Sequence, residues 1–314
     1  MSASFTSNSL PAWRRALDEA AARLEGRVTH TPLVRSAWLS DITGGDVWLK
    51  LENQQLEGSF KTRGAFNALL QLPPGRIVAA SAGNHGRSLA YAARELGARL
   101  TVFAPRTAPA TKLDFIRSHG ADLELCDSYD DAEERALMMS TRQSVPFISP
   151  YNHRDVIAGA GTVGLEIVSN GHPFDVVVVP TGGGGLISGI SLAARTASVG
   201  TPPTIHGVEA TASPSFSTAL AHNRIVPITV SPTHADGLAG NLESGSVTFE
   251  IVRDLAAGVT TVTEDEIVAA MDGLQEREHQ RVEGAGAVGV AALLAGKLDV
   301  DGKRVAVVVS GANR

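Results

Sequence analysis

Cysteine is nearly missing from this chain. Cys126 stands alone among 314 residues, which excludes an internal disulfide and a cysteine-rich metal site and suits a reducing cytoplasm. Its expected role is that of a small buried apolar side chain. Aromatic residues make up only 5%, too few for a platform of stacked bases. Charge is sparse too, at 19% of residues with a net of -6, so nucleic acid and acidic membrane surfaces find no electrostatic partner here. No apolar stretch reaches the roughly 20 residues of a membrane helix. The opening MSASFTSNSLPAWRRALDEAAARL lacks a long apolar core and reads as a short tail before an amphipathic helix, not as a signal peptide. There is no Gly-x-Ser-x-Gly elbow, which weakens a serine hydrolase reading. The nine histidines show no paired metal spacing.

What is present is a 43% hydrophobic chain, long enough for two lobes or one large α/β domain. Short β-branched runs alternate with alanine-rich stretches. Val47–Leu51, Ile77–Ser81, Leu100–Ala104, Leu123–Leu125, Val176–Val179, Ile205–Val208, Val259–Val262 and Val305–Val309 are predicted strands. Ser88–Leu96, Asp130–Ser144, Ile187–Ala197 and Asp265–His279 are predicted helices. That alternation signals parallel sheets with crossover helices. Gly97 is placed as a left-handed helix stop, and Thr263 with Glu266 as a reciprocal capping box.

After the first predicted strand comes the polar Glu52-Asn53-Gln54-Gln55, and then Gly58-Ser59 opens a helix with apolar Phe60, Ala65, Phe66, Leu69 and Leu70. Ser59 is the expected N-cap, so Lys61 falls in the first turn. A cation there meets the positive end of the helix dipole, which lowers its pKa. A neutral amine is what attack on an aldehyde requires. An ordinary exposed lysine is the bland alternative, and this motif alone does not displace it.

Two glycine-rich turns follow strands and precede helices, where α/β sheets bind ligands. In Thr181-Gly182-Gly183-Gly184-Gly185-Leu186, four successive glycines let backbone amides turn inward around an anion, with a helix dipole behind them. A tight turn alone needs only one or two. In Ser81-Ala82-Gly83-Asn84-His85-Gly86, Ser81 and Asn84 offer side-chain hydrogen bonds, and the amides of a helix start can hold a carboxylate. His85 reads as structural more than chemical. Gly159–Gly164 and Gly284–Gly289 match a dinucleotide-binding spacing, but neither follows an apolar strand. Both are expected to be helix starts packed closely on a sheet. Glu209, after the strand Ile205–Val208, is a candidate cation ligand, with a surface carboxylate as the plainer reading.

Taken together these residues resemble the fold-type II pyridoxal-phosphate enzymes, in particular the serine/threonine dehydratases. The matching segments are Leu49–Asn53, Gly58–Ala65, Ser81–Gly86, Gly182–Leu186, Ala235-Asp236-Gly237 and Ser310-Gly311-Ala312-Asn313. They keep the family's order from about residue 30 onward. The resemblance implies a two-lobed α/β fold of the tryptophan synthase β type, with parallel sheets flanked by helices. A small lobe of residues 75–150 would close over the substrate, and residues 1–74 and 151–314 would form the large cofactor-binding lobe. It implies pyridoxal 5'-phosphate as cofactor, Lys61 as the Schiff-base lysine and Phe60 packed beside the cofactor. Asn84 would meet the ring hydroxyl, Gly182, Gly183, Gly184, Gly185 and Leu186 the phosphate, and Ser310 the ring nitrogen. Ser81, Ala82, Gly83, Asn84 and His85 would hold the substrate. The implied reaction is removal of the α-proton by Lys61, loss of the β-hydroxyl, and release of a 2-oxo acid and ammonia, with L-threonine or L-serine as default substrate. The implied assembly is a cytoplasmic homodimer acting on a small amino acid.

Single positions narrow the choice within the family. Sulfhydrylases and threonine synthases resemble Asn-Thr where this chain has Asn84-His85, and serine racemases carry a proton-moving serine where it has Ala82. Glu57 replaces a usual threonine, and Ala312 a common glycine. Ser213 and Ser215 occupy the stretch where a second metal-binding carboxylate is usual, so no metal is expected. The chain ends at Arg314, which leaves no expectation of an appended regulatory domain. A dehydratase for 3-hydroxyaspartate or an ectoine-derived hydroxy amino acid, a racemase-like enzyme, and a non-catalytic pyridoxal-phosphate or nucleotide-binding protein are the rivals.

Overall fold

The computed structural model describes residues 5–6 and 9–312; Asn313, grouped above with Ser310, lies outside the described residues. The described strands are β1 Leu33–Arg35, β2 Asp46–Leu51, β3 Arg76–Ala80, β4 Arg99–Pro105, β5 Asp122–Cys126, β6 Val176–Pro180, β7 Thr204–Ala210, β8 Gly258–Val262 and β9 Arg304–Val309. The helices are α1 Leu10–Leu24, α2 Ala37–Thr43, α3 Lys61–Leu69, α4 Asn84–Leu96, α5 Ala110–Ser118 and α6 Tyr129–Gln143, followed by α7 Arg154–Val168, α8 Gly185–Ala197, α9 Ser215–Ala221, α10 Val247–Leu255, α11 Glu264–Arg277 and α12 Gly284–Leu294.

Two sheets result. Six strands run in the order β1-β2-β9-β6-β7-β8, and three in the order β3-β4-β5. All pairings are parallel except β1 with β2, as crossover helices require. Strands β6 and β9 are continuous valine-rich runs because helices cover both faces of the larger sheet. One face packs Leu49, Val178, Val307 and Val288, and the other packs Val177, Val179, Ile187 and Val308. The smaller sheet packs Ile77, Ala79 and Val102 on Leu89 and Ile116.

Local signals account for several boundaries. Helix α1 buries Trp13, Ala16, Leu17, Ala20 and Leu24 at helical spacing. Gly97 stops α4 in the left-handed conformation, and Thr263 with Glu266 forms the capping box of α11. Gly159–Gly164 departs from expectation. It lies inside α7 and lets that helix pack on other helices, not on a sheet: a Cβ on Gly161 would stand 2.9 Å from Gly189 O on α8, and one on Gly159 would stand 2.6 Å from Arg63 O on α3. Gly284–Gly289 does open α12 against the sheet, with Gly289 facing Val307 and Val178.

Candidate active site

Three laterally adjacent strands deliver the central groups. The chain leaving β2 reaches Lys61, β9 ends at Ser310, and β6 ends at the glycine turn. The carboxyl ends of parallel strands are where such sheets place ligands. Backbone bonds stitch the lysine turn to the chain leaving β9: Phe60 N donates to Ser310 O at 3.2 Å and Ala312 N to Gly58 O at 2.8 Å, and Ser59 pairs with Gly311. Lys61 is the first residue of α3, as expected. Ser59 is not its N-cap, because that extended residue is two before the helix and its Oγ is buried without a protein partner.

The lysine amine points inward. Its Nζ donates to Pro150 O at 2.8 Å and stands 5.1 Å from the Phe60 ring centroid. Burial of the ammonium lowers its pKa from 10.5 to about 8, through loss of hydration.

The glycine turn ends in Gly184 at φ 84, a left-handed residue that starts α8 without a side-chain cap. Close approach restricts its neighbours. A Cβ on Gly183 would overlap the Tyr151 ring, and one on Gly182 would stand 2.8 Å from Leu238 Cα. Thr248 Oγ1 holds the turn by donating to Gly183 O at 2.8 Å. Leu186 is buried in the core behind it.

From β3 the chain enters the second turn. Ser81 Oγ accepts from Gly83 N at 3.2 Å, Ala82 is buried, and Asn84 begins α4. Asn84 Nδ2 donates to Glu283 Oε1 at 2.7 Å. His85 is buried and neutral, its pKa lowered to about 3 chiefly by desolvation. Its Nε2 faces Ile148 O at 2.9 Å; a carbonyl only accepts, so Nε2 carries the proton. Ser310 Oγ lies 3.4 Å from Ala285 O, a long contact that leaves the hydroxyl weakly held.

Four residues near this centre escaped sequence reasoning: Pro150, Tyr151, Glu243 and Glu283. Only Glu283 had a signal, a lone carboxylate directly before a helix of small residues. It is buried, and desolvation raises its pKa to about 7. Glu209 lies within β7, not after it, and is fully buried. It is not a surface carboxylate: its oxygens accept from Phe216 N and Ser217 N, both at 2.9 Å, at the start of α9. Among the described residues no group of three or more His, Cys, Asp or Glu could hold a metal ion.

A desolvated amine, an uncapped helix start behind four glycines and the unpartnered Ser59 hydroxyl suit a ligand carrying an aldehyde and a phosphate. The comparisons agree. Residues 24–311 match the profile of the pyridoxal-phosphate dependent enzymes. The chain belongs to this family. The L-threonine ammonia-lyase of Thermotoga maritima is 43% identical over 95% of this chain and 74% of its own length. The catabolic L-threonine dehydratase of Escherichia coli K12 is 37% identical over 94% and 91%. Among solved structures of pyridoxal-phosphate enzymes, maize serine racemase superposes with a TM-score of 0.90 at 31% identity, covering 96% of this chain and 93% of that one. These relatives fit the fold-type II resemblance drawn from the motifs.

Proposed function

We propose that this chain eliminates water from a β-hydroxy amino acid, L-threonine or L-serine, to give a 2-oxo acid and ammonia. The observation that carries the reading is the buried Lys61 amine, held by Pro150 O at 2.8 Å and brought to about 8 by burial. Relatives named for threonine deamination at 43% and 37% identity support the substrate class.

Pyridoxal phosphate, when bound, supplies the electron sink that acidifies the substrate's α-carbon. Gly182 to Leu186 would hold its phosphate, Asn84 its ring hydroxyl and Ser310 its ring nitrogen, with Phe60 packed alongside. A neutral serine hydroxyl at that nitrogen would not enforce a full positive charge there, which would favour elimination over transamination. The Ser81–His85 turn holds the substrate carboxylate through its amides, and Lys61 takes the α-proton. Ala82 has no proton to give, so the opposite face of the substrate lacks the partner racemisation needs. This argues for dehydration despite the similarity to maize serine racemase.

Residues 75–150 act in this reading as the small lobe closing over the substrate, against a large lobe of residues 1–74 and 151–314. Contacts between the two segments support it: Asn84 with Glu283, and Lys112 Nζ with Asp236 Oδ2 at 2.8 Å. A cytoplasmic homodimer completes the reading; light scattering of the holoenzyme tests its mass. No helix among the described residues is long and apolar enough to cross a membrane.

Lys61→Ala is expected to abolish both the visible Schiff-base absorbance and 2-oxo acid formation. Persistence of both would sink the assignment. A panel of L-threonine, L-serine and 3-hydroxyaspartate, read by ammonia release, ranks the substrates.

A further inference from the structure

The stretch from Ile148 to Asn152 touches the lysine, the glycine turn and the turn that opens α4. Ile148 O receives His85, and Pro150 O receives Lys61. The Tyr151 ring covers Gly183, and its Cα lies 3.1 Å from a Cβ built on Gly185. Ile148 N still donates to Val78 O at 3.0 Å beside the bridge at Phe147, but from Ser149 to α7 the strap is irregular backbone. Its anchor is Glu243, on the loop before α10. Glu243 Oε1 accepts from Ser149 Oγ at 2.7 Å, and Oε2 accepts from Asn152 Nδ2 at 2.7 Å. The Glu243 amide donates to Tyr151 OH at 2.8 Å. Asn152 Oδ1 accepts in turn from Val247 N at 3.1 Å. One carboxylate thus ties down Ser149 and Asn152, on either side of Pro150 and Tyr151, and its backbone ties down the ring between them. Burial, reinforced by the Glu243 charge, pushes the Tyr151 phenol well above its ordinary pKa, so it stays neutral and can accept that bond.

We propose that Glu243 is a positioning residue for Lys61: it fixes the strap whose Pro150 carbonyl holds the lysine amine and whose Tyr151 ring walls the glycine turn. The inference rests on the reading that Lys61 carries the cofactor. Alanine at 243 removes both acceptors. Glutamine keeps one carbonyl acceptor, and the Ser149 hydroxyl can reverse to accept from the new amide. Geometry, not charge, is therefore the requirement, and glutamine restores most of it.

The test titrates the cofactor-free protein with pyridoxal phosphate, reading visible absorbance and its pH midpoint, and uses borohydride with peptide mass to locate the fixed cofactor. Wild type and Lys61→Ala come first. A wild type with no band, or with cofactor fixed elsewhere, removes the Lys61 reading itself. Given a wild-type band, Glu243→Ala is expected to weaken cofactor binding about tenfold or more, because the strap loses both of its side-chain acceptors. The pH midpoint is expected to move by about half a unit. Glu243→Gln should return binding to within about threefold of wild type. Wild-type affinity and midpoint in Glu243→Ala overturn the proposal, as does a Glu243→Gln as impaired as the alanine. Should Glu243→Ala fail to fold, Asn152→Ala decides: a weaker affinity with a moved midpoint supports the anchor, and wild-type values overturn it.

Discussion

Desolvation, more than any neighbouring charge, sets the chemistry of single residues here. Lys61 owes its lowered pKa of about 8 to burial, whereas the sequence pointed to the helix dipole, a weaker influence. Cofactor capture by the cofactor-free protein should therefore accelerate as pH rises to about 8 and level off above it, where an exposed lysine would keep accelerating toward 10.5. Stopped-flow absorbance across that range checks this. Glu283 runs the other way. Burial raises its pKa from 4.5 to about 7, with Asp236 adding to the rise and Asn84, Lys112 and Arg87 opposing it. The folded state keeps a proton that the unfolded chain releases, so stability falls as pH climbs through that window. Glu283→Gln should flatten the decline, on the order of 3 kcal/mol, in urea melts of the cofactor-free protein. Lys61, Asn84 and Ser310 were legible because each sits in a short motif beside a strand end. Tyr151 and Glu243 were not, since their partnership spans 92 positions and neither carries a local pattern.

Among the elements, the close contacts are made by glycines, and these yield sharp expectations. A methyl on Gly183 collides with the Tyr151 ring. Gly183→Ala should raise the cofactor dissociation constant by about tenfold or more through a displaced glycine turn, measured by absorbance titration. Gly161→Ala forces α7 away from Gly189 on α8. It should cost roughly 1–3 kcal/mol of stability, read from denaturant midpoints. The strands were readable from β-branched runs to within a residue or two. The three-residue β1, with its exposed pattern, offered no such run. The interior of α7 was misjudged because glycine spacing reports close approach without saying whether the neighbour is a helix or a sheet.

Across the whole molecule, one buried ionic cluster joins α3 to β2 and α7. Arg63 donates to Glu52 at 2.8 Å and to Glu166 at 2.5 Å, Lys50 pairs with Glu166, and Thr31 bonds to Glu52. Arg63, Lys50 and Glu52 have essentially no exposure. Arg63→Ala leaves two carboxylates short of a partner in the interior and should cost roughly 3–5 kcal/mol, seen as a lowered thermal midpoint. Lys112→Ala, at a partly exposed pair, should cost less than about 1 kcal/mol. The parallel α/β class was legible in the alternation of elements, but the lateral order of the strands was not, because it is fixed by packing across long separations.

That lateral order has a consequence for how the protein matures. Strand β9 comes far later in the chain than β2 and β6, yet it pairs with both. Until it inserts, the lysine turn has no backbone to lean on at Ser310, Gly311 and Ala312. A nascent chain thus exposes Lys61 and the glycine turn long before they face each other. Cofactor capture then reports that the sheet has closed, and the bound cofactor adds its binding free energy to the folded state alone.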